Sequence, residues 1–212
     1  MSFNIIKKNV VVVLGLLLLT GAVNAQSKAK SKTRTYNILA AESSFTVFVA
    51  KTGMLSGITH DHNIGVKNFS GHVTLPEAGP NAGSLELDVD AKSLTILDNI
   101  SAKDRSEITN NMNTYVLEPG KYPRIVFKST SISNFKQNGT NASFTLNGDL
   151  TLHGATKRIA LPVNVTQSTD RLRATGRYTL LQTDFGIKPY SAMMGTIKVK
   201  NEVVINFNIV AK

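Results

Sequence analysis

The chain of 212 residues contains no cysteine and no tryptophan. Without a thiol there is no disulfide, no thiolate nucleophile, no thiolate metal site and no cysteine-linked lipid anchor. No Gly-rich phosphate loop ending in lysine occurs, and no Gly-x-Ser-x-Gly elbow, so the usual nucleotide and serine-hydrolase signatures are missing. The longest apolar run, Val10 to Leu19, is too short to span a bilayer comfortably. Hydrophobic residues make up 42% and charged residues 18%. Those values fit a globular chain and exclude a wholly disordered one.

What is present begins with an export signal. Lys7 and Lys8 precede the apolar run, and Val23-Asn24-Ala25 ends in small residues at the offsets a signal peptidase uses. Residues 1–25 therefore read as a cleaved secretory signal, and a bacterial periplasm is the expected location of the secreted protein. Residues 26–34 hold Lys28, Lys30, Lys32 and Arg34 without an acid and read as a basic flexible tail. The formal charge of +10 falls to about +4 once these four and the two leader lysines are set aside. A basic stripe on a folded face, the footprint of a nucleic-acid binder, is not what this distribution describes. The tail reads as a solvated tether, with transient contact to an anionic membrane surface as its second reading. Residues 35–212 fit one domain.

In that domain the dominant rhythm is two. Phe45, Val47 and Val49 alternate with more polar neighbours, as do Leu85, Leu87 and Val89. Phe144 to Leu152, Ile159 to Val165 and Val203 to Ile209 follow the same rule. Such alternation gives strands with one dry face. Turn signals at Pro76–Gly83, Asn138-Gly139, His153-Gly154 and Thr169-Asp170 separate them. The pattern predicts a mainly β fold, an antiparallel barrel or sandwich. One stretch departs from it. In Ser101–Leu117, Ile108, Met112 and Tyr115 or Val116 recur at helical spacing, Ser101 and Asp104 suit a helix start, and Pro119-Gly120 ends it. A single inserted helix would plug or lid one end of a barrel. Eight strands leave a lumen that side chains fill or that holds one small ligand.

Three segments carry a family resemblance: Tyr122-Pro123-Arg124-Ile125-Val126-Phe127, Gly148 to Lys157, and Thr183-Asp184-Phe185-Gly186-Ile187. With Phe69-Ser70-Gly71 upstream, their order and spacing resemble the YceI-like polyisoprenoid-binding family over about residues 35–212. The resemblance implies an extended lipocalin-like antiparallel β-barrel of about eight strands with one inserted helix. It implies a periplasmic location and a long-chain lipid or isoprenoid ligand in the lumen, allows a homodimer, and brings no catalytic set or required cofactor. From alternation alone, the lumen is assigned Phe45, Val47, Val49, Phe127, Leu150, Leu152, Tyr178 and Phe207. Met112 and Tyr115 from the helix would close one end. A register error would move a strand's whole set to the outside.

Histidine offers an alternative chemistry. His60, His62 and His72 lie within thirteen residues. A hairpin turning near Lys67 would set His62 opposite His72, and three imidazoles would offer an open zinc or copper site. The competing reading is a polar strand whose histidines hydrogen-bond to neighbours. His153, beside Gly154, reads as a turn residue bonding to nearby backbone. Glu86, Asp88 and Asp90 share one strand face and read as a solvated sheet surface rather than an acid–base pair. Asp184-Phe185-Gly186 lacks every companion signature of a kinase and reads as a turn. The expectation is a binding or carrier protein for an amphiphilic lipid, not an enzyme. A metal-binding protein and a filled-barrel partner-binding module are the alternatives.

Overall fold

The computed structural model describes residues 32–54, 60–77 and 79–212. The leader assigned to residues 1–25 and most of the basic tail lie outside them. Strand β1 (Thr33–Asn37) begins inside the stretch assigned to the tail, so Thr33 and Arg34 belong to the sheet. Its register against β4 (Phe69–Pro76) runs from Thr33 opposite Pro76 to Asn37 opposite His72.

The other strands are β2 (Ser44–Thr52), β3 (His62–Val66), β5 (Ser84–Asp90), β6 (Leu94–Ile96) and β7 (Arg124–Asn138). After them come β8 (Asn141–Leu152), β9 (Ala155–Gln167), β10 (Leu172–Leu181), β11 (Ser191–Ala192) and β12 (Ile197–Ala211). One antiparallel sheet contains all of them, in the order β1-β4-β5-β7-β8-β9-β10-β12-β2-β3-β6, with β11 on β12.

That order closes on itself through two bent strands. β3 pairs with β6, and β4 pairs with β5, in almost the same register. The hydrogen bond from Asp90 N–H to the Asn68 carbonyl carries the ladder up to the bend, and a 3-10 turn at Ala91–Ser93 absorbs the slip. β3 and β4 thus form one kinked strand and β5 and β6 another, paired along their length. Counting each kinked pair once, and leaving aside the short β1 and β11, gives eight principal staves in a curled, lipocalin-like wall, which is the predicted architecture.

This arrangement corrects the predicted His62–His72 hairpin. The chain bends at Lys67-Asn68 without reversing, so β3 and β4 do not pair. β3 sits between β2 and β6, while β4 sits between β1 and β5.

Helix α1 (Ala102–Met112) starts where predicted: the Ser101 side chain accepts from the Asp104 N–H. It continues as a π-helical turn, Asn113–Leu117, and stops at Glu118 in the left-handed region. Its propensity is poor, so packing must hold it. Met112 and Leu117 are buried in a cluster with Ile64, Val66, Leu94 and Ile96. Arg105 adds hydrogen bonds to the carbonyls of Ile96 and Asp98, at and just beyond the end of β6.

The segments β2–β3, β6–α1–β7, β8–β9 and β10–β12 all connect at the end where the helix sits. The segments β4–β5, β7–β8 and β9–β10 turn at the other. We call these the helix end and the hairpin end.

Candidate ligand-binding cavity

Alternation along each strand sends one set of side chains into the barrel. On β8 the inward set is Ala142, Phe144, Leu146, Leu150 and Leu152, all lining one cavity of about 280 Å³. From Ala142 to Leu152 the strand rises roughly 33 Å. A space so long and so small in volume is narrow. It lies at the lower edge of the volumes typical of ligand pockets, which are about 300–1,000 Å³.

The bore is shaped by two aromatic rings lying over glycines. A Cβ on Gly148 would sit 2.4 Å from Phe127 Cζ, and one on Gly176 would sit 2.3 Å from Phe207 Cζ. Each glycine recesses the wall by one side chain, and a ring from the adjacent strand fills the recess. Phe127 is 4% exposed. Phe45 stacks on Phe207 with ring centroids 6.4 Å apart.

Nine of the ten residues assigned to the lumen line this cavity: Phe45, Val47, Val49, Met112, Phe127, Leu150, Leu152, Tyr178 and Phe207. Tyr115 does not. It is 63% exposed and meets Tyr190 outside, with centroids 6.3 Å apart. The π-helical turn changes the angular step after Met112, so Val116 and Leu117 face the cavity instead.

Other lining residues were missed. At the helix end Ile187 and Gln182 join the wall; at the hairpin end Phe135, Gln137, Thr140 and Gln167 do. Ile187 follows the Asp184-Phe185-Gly186 turn, in which Phe185 is buried and Gly186 takes φ 70°. Glycines interrupting alternating strands were the available signal for Gly148 and Gly176.

Polar groups are few along the interior. Gln182 is the one polar residue counted as buried among the described residues, at 5% exposure. Its Nε2 donates to the Lys200 carbonyl at 2.8 Å. Tyr178 lies four residues earlier; burial raises the pKa of its phenol, and the nearby Asp184 charge raises it further. Such a lining suits hydrocarbon rather than polar groups. Each methylene moved into it from water contributes about 0.8 kcal/mol.

The histidines work separately. His62 Nδ1–H donates to Asp98 Oδ2 at 2.8 Å, joining β3 to the start of the helical segment. His153 Nε2–H donates to Glu118 Oε2 at 2.6 Å, and its ring lies 4.2 Å from that of Tyr122. The partner of His153 is thus a side chain across the barrel end, not local backbone. His72 is on β4 opposite Glu86, and His60 is exposed just ahead of β3. Among the described residues no three histidine, aspartate or glutamate side chains converge as a metal site would require. The proposed three-histidine centre is not assembled, because the bend replaces the hairpin that would have built it. On the outer face, Asp88 pairs with Arg124 and Glu86 with Lys128, the solvated sheet surface predicted for them.

Comparison with known proteins follows the same lines. A family model described as YceI-like domain matches residues 36–211. A UPF0312 protein of Shewanella oneidensis is 31% identical over 127 residues, which cover 57% of this chain and 61% of that protein. A second, from Pseudomonas putida, is 29% identical over 137 residues, covering 62% and 66%. The matched stretch thus spans about three fifths of the length of the first of these relatives. Among solved structures, Burkholderia cenocepacia BcnA superposes with a TM-score of 0.64 at 21% identity, covering 82% of this chain and 99% of that one. A polyisoprenoid binding domain from Saccharophagus degradans, implicated in plant cell wall breakdown, gives 0.61 at 14% identity, covering 84% and 97%.

Proposed function

The chain belongs to the YceI-like domain family, and from that premise we propose that it binds a long-chain amphiphilic lipid such as a polyisoprenoid. The tail lies in the barrel and the protein acts as a periplasmic carrier after export. The observation that carries this reading is the cavity itself: long, narrow and lined almost wholly by aliphatic and aromatic side chains. The fold shared with the polyisoprenoid binding domain of Saccharophagus degradans supports it. No catalytic step is assigned, since binding of this kind needs only apolar burial and a way in.

The enclosed volume sets a condition. Slender unsaturated chains fit the bore better than fused ring systems, and longer tails require Phe127, Phe207 or Met112 to turn aside. Native mass spectrometry of protein recovered from an exporting host tests the reading. A lipid-sized adduct that organic extraction removes, and that a long-chain prenol restores, is the expected result. Absence of any adduct together with no uptake of the prenol would overturn it and leave a filled barrel.

A further inference from the structure

All six large hydrophobic side chains that stand exposed among the described residues sit at the helix end: Met54, Leu97, Tyr115, Leu181, Met193 and Met194. None is at the hairpin end. Three of them gather on two adjoining turns, and Tyr115 stands at the neighbouring Tyr190. A Cβ on Gly53 would lie 2.6 Å from the Thr196 carbonyl oxygen, which places Met54 beside the turn that carries Met193 and Met194. Tyr190 follows on, its carbonyl accepting from Val199 N–H, and Tyr115 meets Tyr190. The result is a rim next to Val116 and Ile187 of the cavity wall.

The methionine turn is held against backbone preference. Met193 and Met194 take φ 49° and 52°, and Gly195 follows at 88°. Two successive bulky residues in the left-handed region persist only where their surroundings impose it. Thr196 does so here: its N–H and its hydroxyl both donate to the Met193 carbonyl, at 3.2 and 2.8 Å. The outcome is that Met193 is 65% exposed and Met194 fully so, at 106%.

Three lysines adjoin this apolar rim. Lys188, Lys198 and Lys200 are exposed on the adjoining loop and strand, and none has a carboxylate partner among the described residues. Lys198 Nζ would lie 3.3 Å from a Cβ on Gly195, beside the methionines. Unbranched methionine, amphipathic tyrosine and long lysines that extend toward water are the side chains suited to a lipid–water boundary.

We infer that the helix-end rim is a docking surface for an anionic phospholipid bilayer. Met54, Met193, Met194 and Tyr115 enter the interfacial layer, and Lys188, Lys198 and Lys200 rest on the headgroups. This contact presents the helix end of the cavity to the membrane. It is separate from the identity of the cargo, because vesicle binding is read without any tail in the cavity.

Co-sedimentation of the full protein, as recovered from an exporting host, with phosphatidylglycerol-containing vesicles and with pure phosphatidylcholine vesicles tests it. Binding to the first set is expected to be stronger and to weaken with salt. The double variant Met193→Asn with Met194→Asn keeps side chains that accept the left-handed region; it should lose about tenfold or more in vesicle affinity, consistent with lost apolar burial. Lys198→Gln with Lys200→Gln should lose about fivefold per lysine on anionic vesicles. An unchanged circular dichroism melt shows that the fold is intact. Two outcomes would overturn the proposal: equal vesicle binding by wild type and rim variants, which would assign it to the basic segment before β1, or a concentration-dependent dimer lost in the methionine variant without any vesicle binding.

Discussion

The two ends of the barrel are built by opposite rules. At the hairpin end the connections are polar and the fastenings exposed: Arg171 pairs with Glu42, Lys212 with Asp170, and Asn138 to Asn141 turn between β7 and β8. At the helix end three of the four connections are longer, six large hydrophobics face outward, and the helical segment is pinned at both of its ends by a histidine–carboxylate hydrogen bond. Those pins are half-buried, with His153 and His62 side chains at 12% and 20% exposure. The hairpin end costs nothing to leave in water. The helix end combines a stopper, two clasps and an apolar rim, the parts the proposed lipid carrier would need at an entrance.

The largest effect should come from the wall between the ends. Phe127→Ala removes a nearly fully buried ring from over Gly148. It is expected to cost about 3–5 kcal/mol, as such truncations do, measured by urea denaturation. Its bore should nevertheless accept bulkier probes, so stability and uptake should move in opposite directions.

Next come the clasps. His153→Ala breaks the bond to Glu118 and leaves Tyr122 without its ring neighbour. A loss of about 1.5–3 kcal/mol is expected for a hydrogen bond to a charged group. Amide exchange should localise the loosening to residues 113–122 rather than to the hairpin end.

The other clasp gives a pH signature. Burial pushes the Asp98 carboxyl up, but hydrogen bonds from the His62 ring and from the Asn63 backbone and side chain together bring it below its usual value. A carboxyl lowered on folding contributes stability that is present above its unfolded pKa of about 3.9 and lost as pH falls through the folded value. Exchange at α1 should therefore rise only below about pH 4, and Asp98→Asn should flatten that rise. Equal acid sensitivity at both ends would remove the distinction between them.

The smallest effect belongs to the hairpin end. Glu42→Ala should shift stability by no more than about 0.5 kcal/mol, since exposed pairs contribute little. A thermal melt checks it, and a large shift would show that this end too is clasped.

The inward face was legible in the sequence because period-two alternation admits only two choices per strand, and the aromatic and aliphatic set takes the dry one. Phe45, Val47 and Val49 on β2 and Leu150 and Leu152 on β8 followed directly. The bend was legible only in hindsight. The buried phase runs through Ile64 and Val66 and then shifts to Phe69; opposite it, Val89 gives way to Leu94 and Ile96. Two matched slips on paired strands make a shared kink, whereas one slip beside Lys67-Asn68 looks like a turn. That ambiguity produced the histidine cluster that the fold does not build. Tyr115 failed for a related reason: α-helical spacing was extended through five residues that wind as a π-helical turn. The exposure of the two methionines was not readable from the sequence, because it is decided by the backbone angles of Met193 and Met194 and not by their pattern.

A chain-length series measures the central claim most directly. Calorimetric titration with prenols of increasing length should show affinity rising with each added unit, accompanied by an increasingly negative heat-capacity change, until the tail fills the roughly 33 Å of lining that β8 provides, and then levelling off. Affinity that ignores tail length, or no binding at any length, would contradict a cavity that works by burying hydrocarbon.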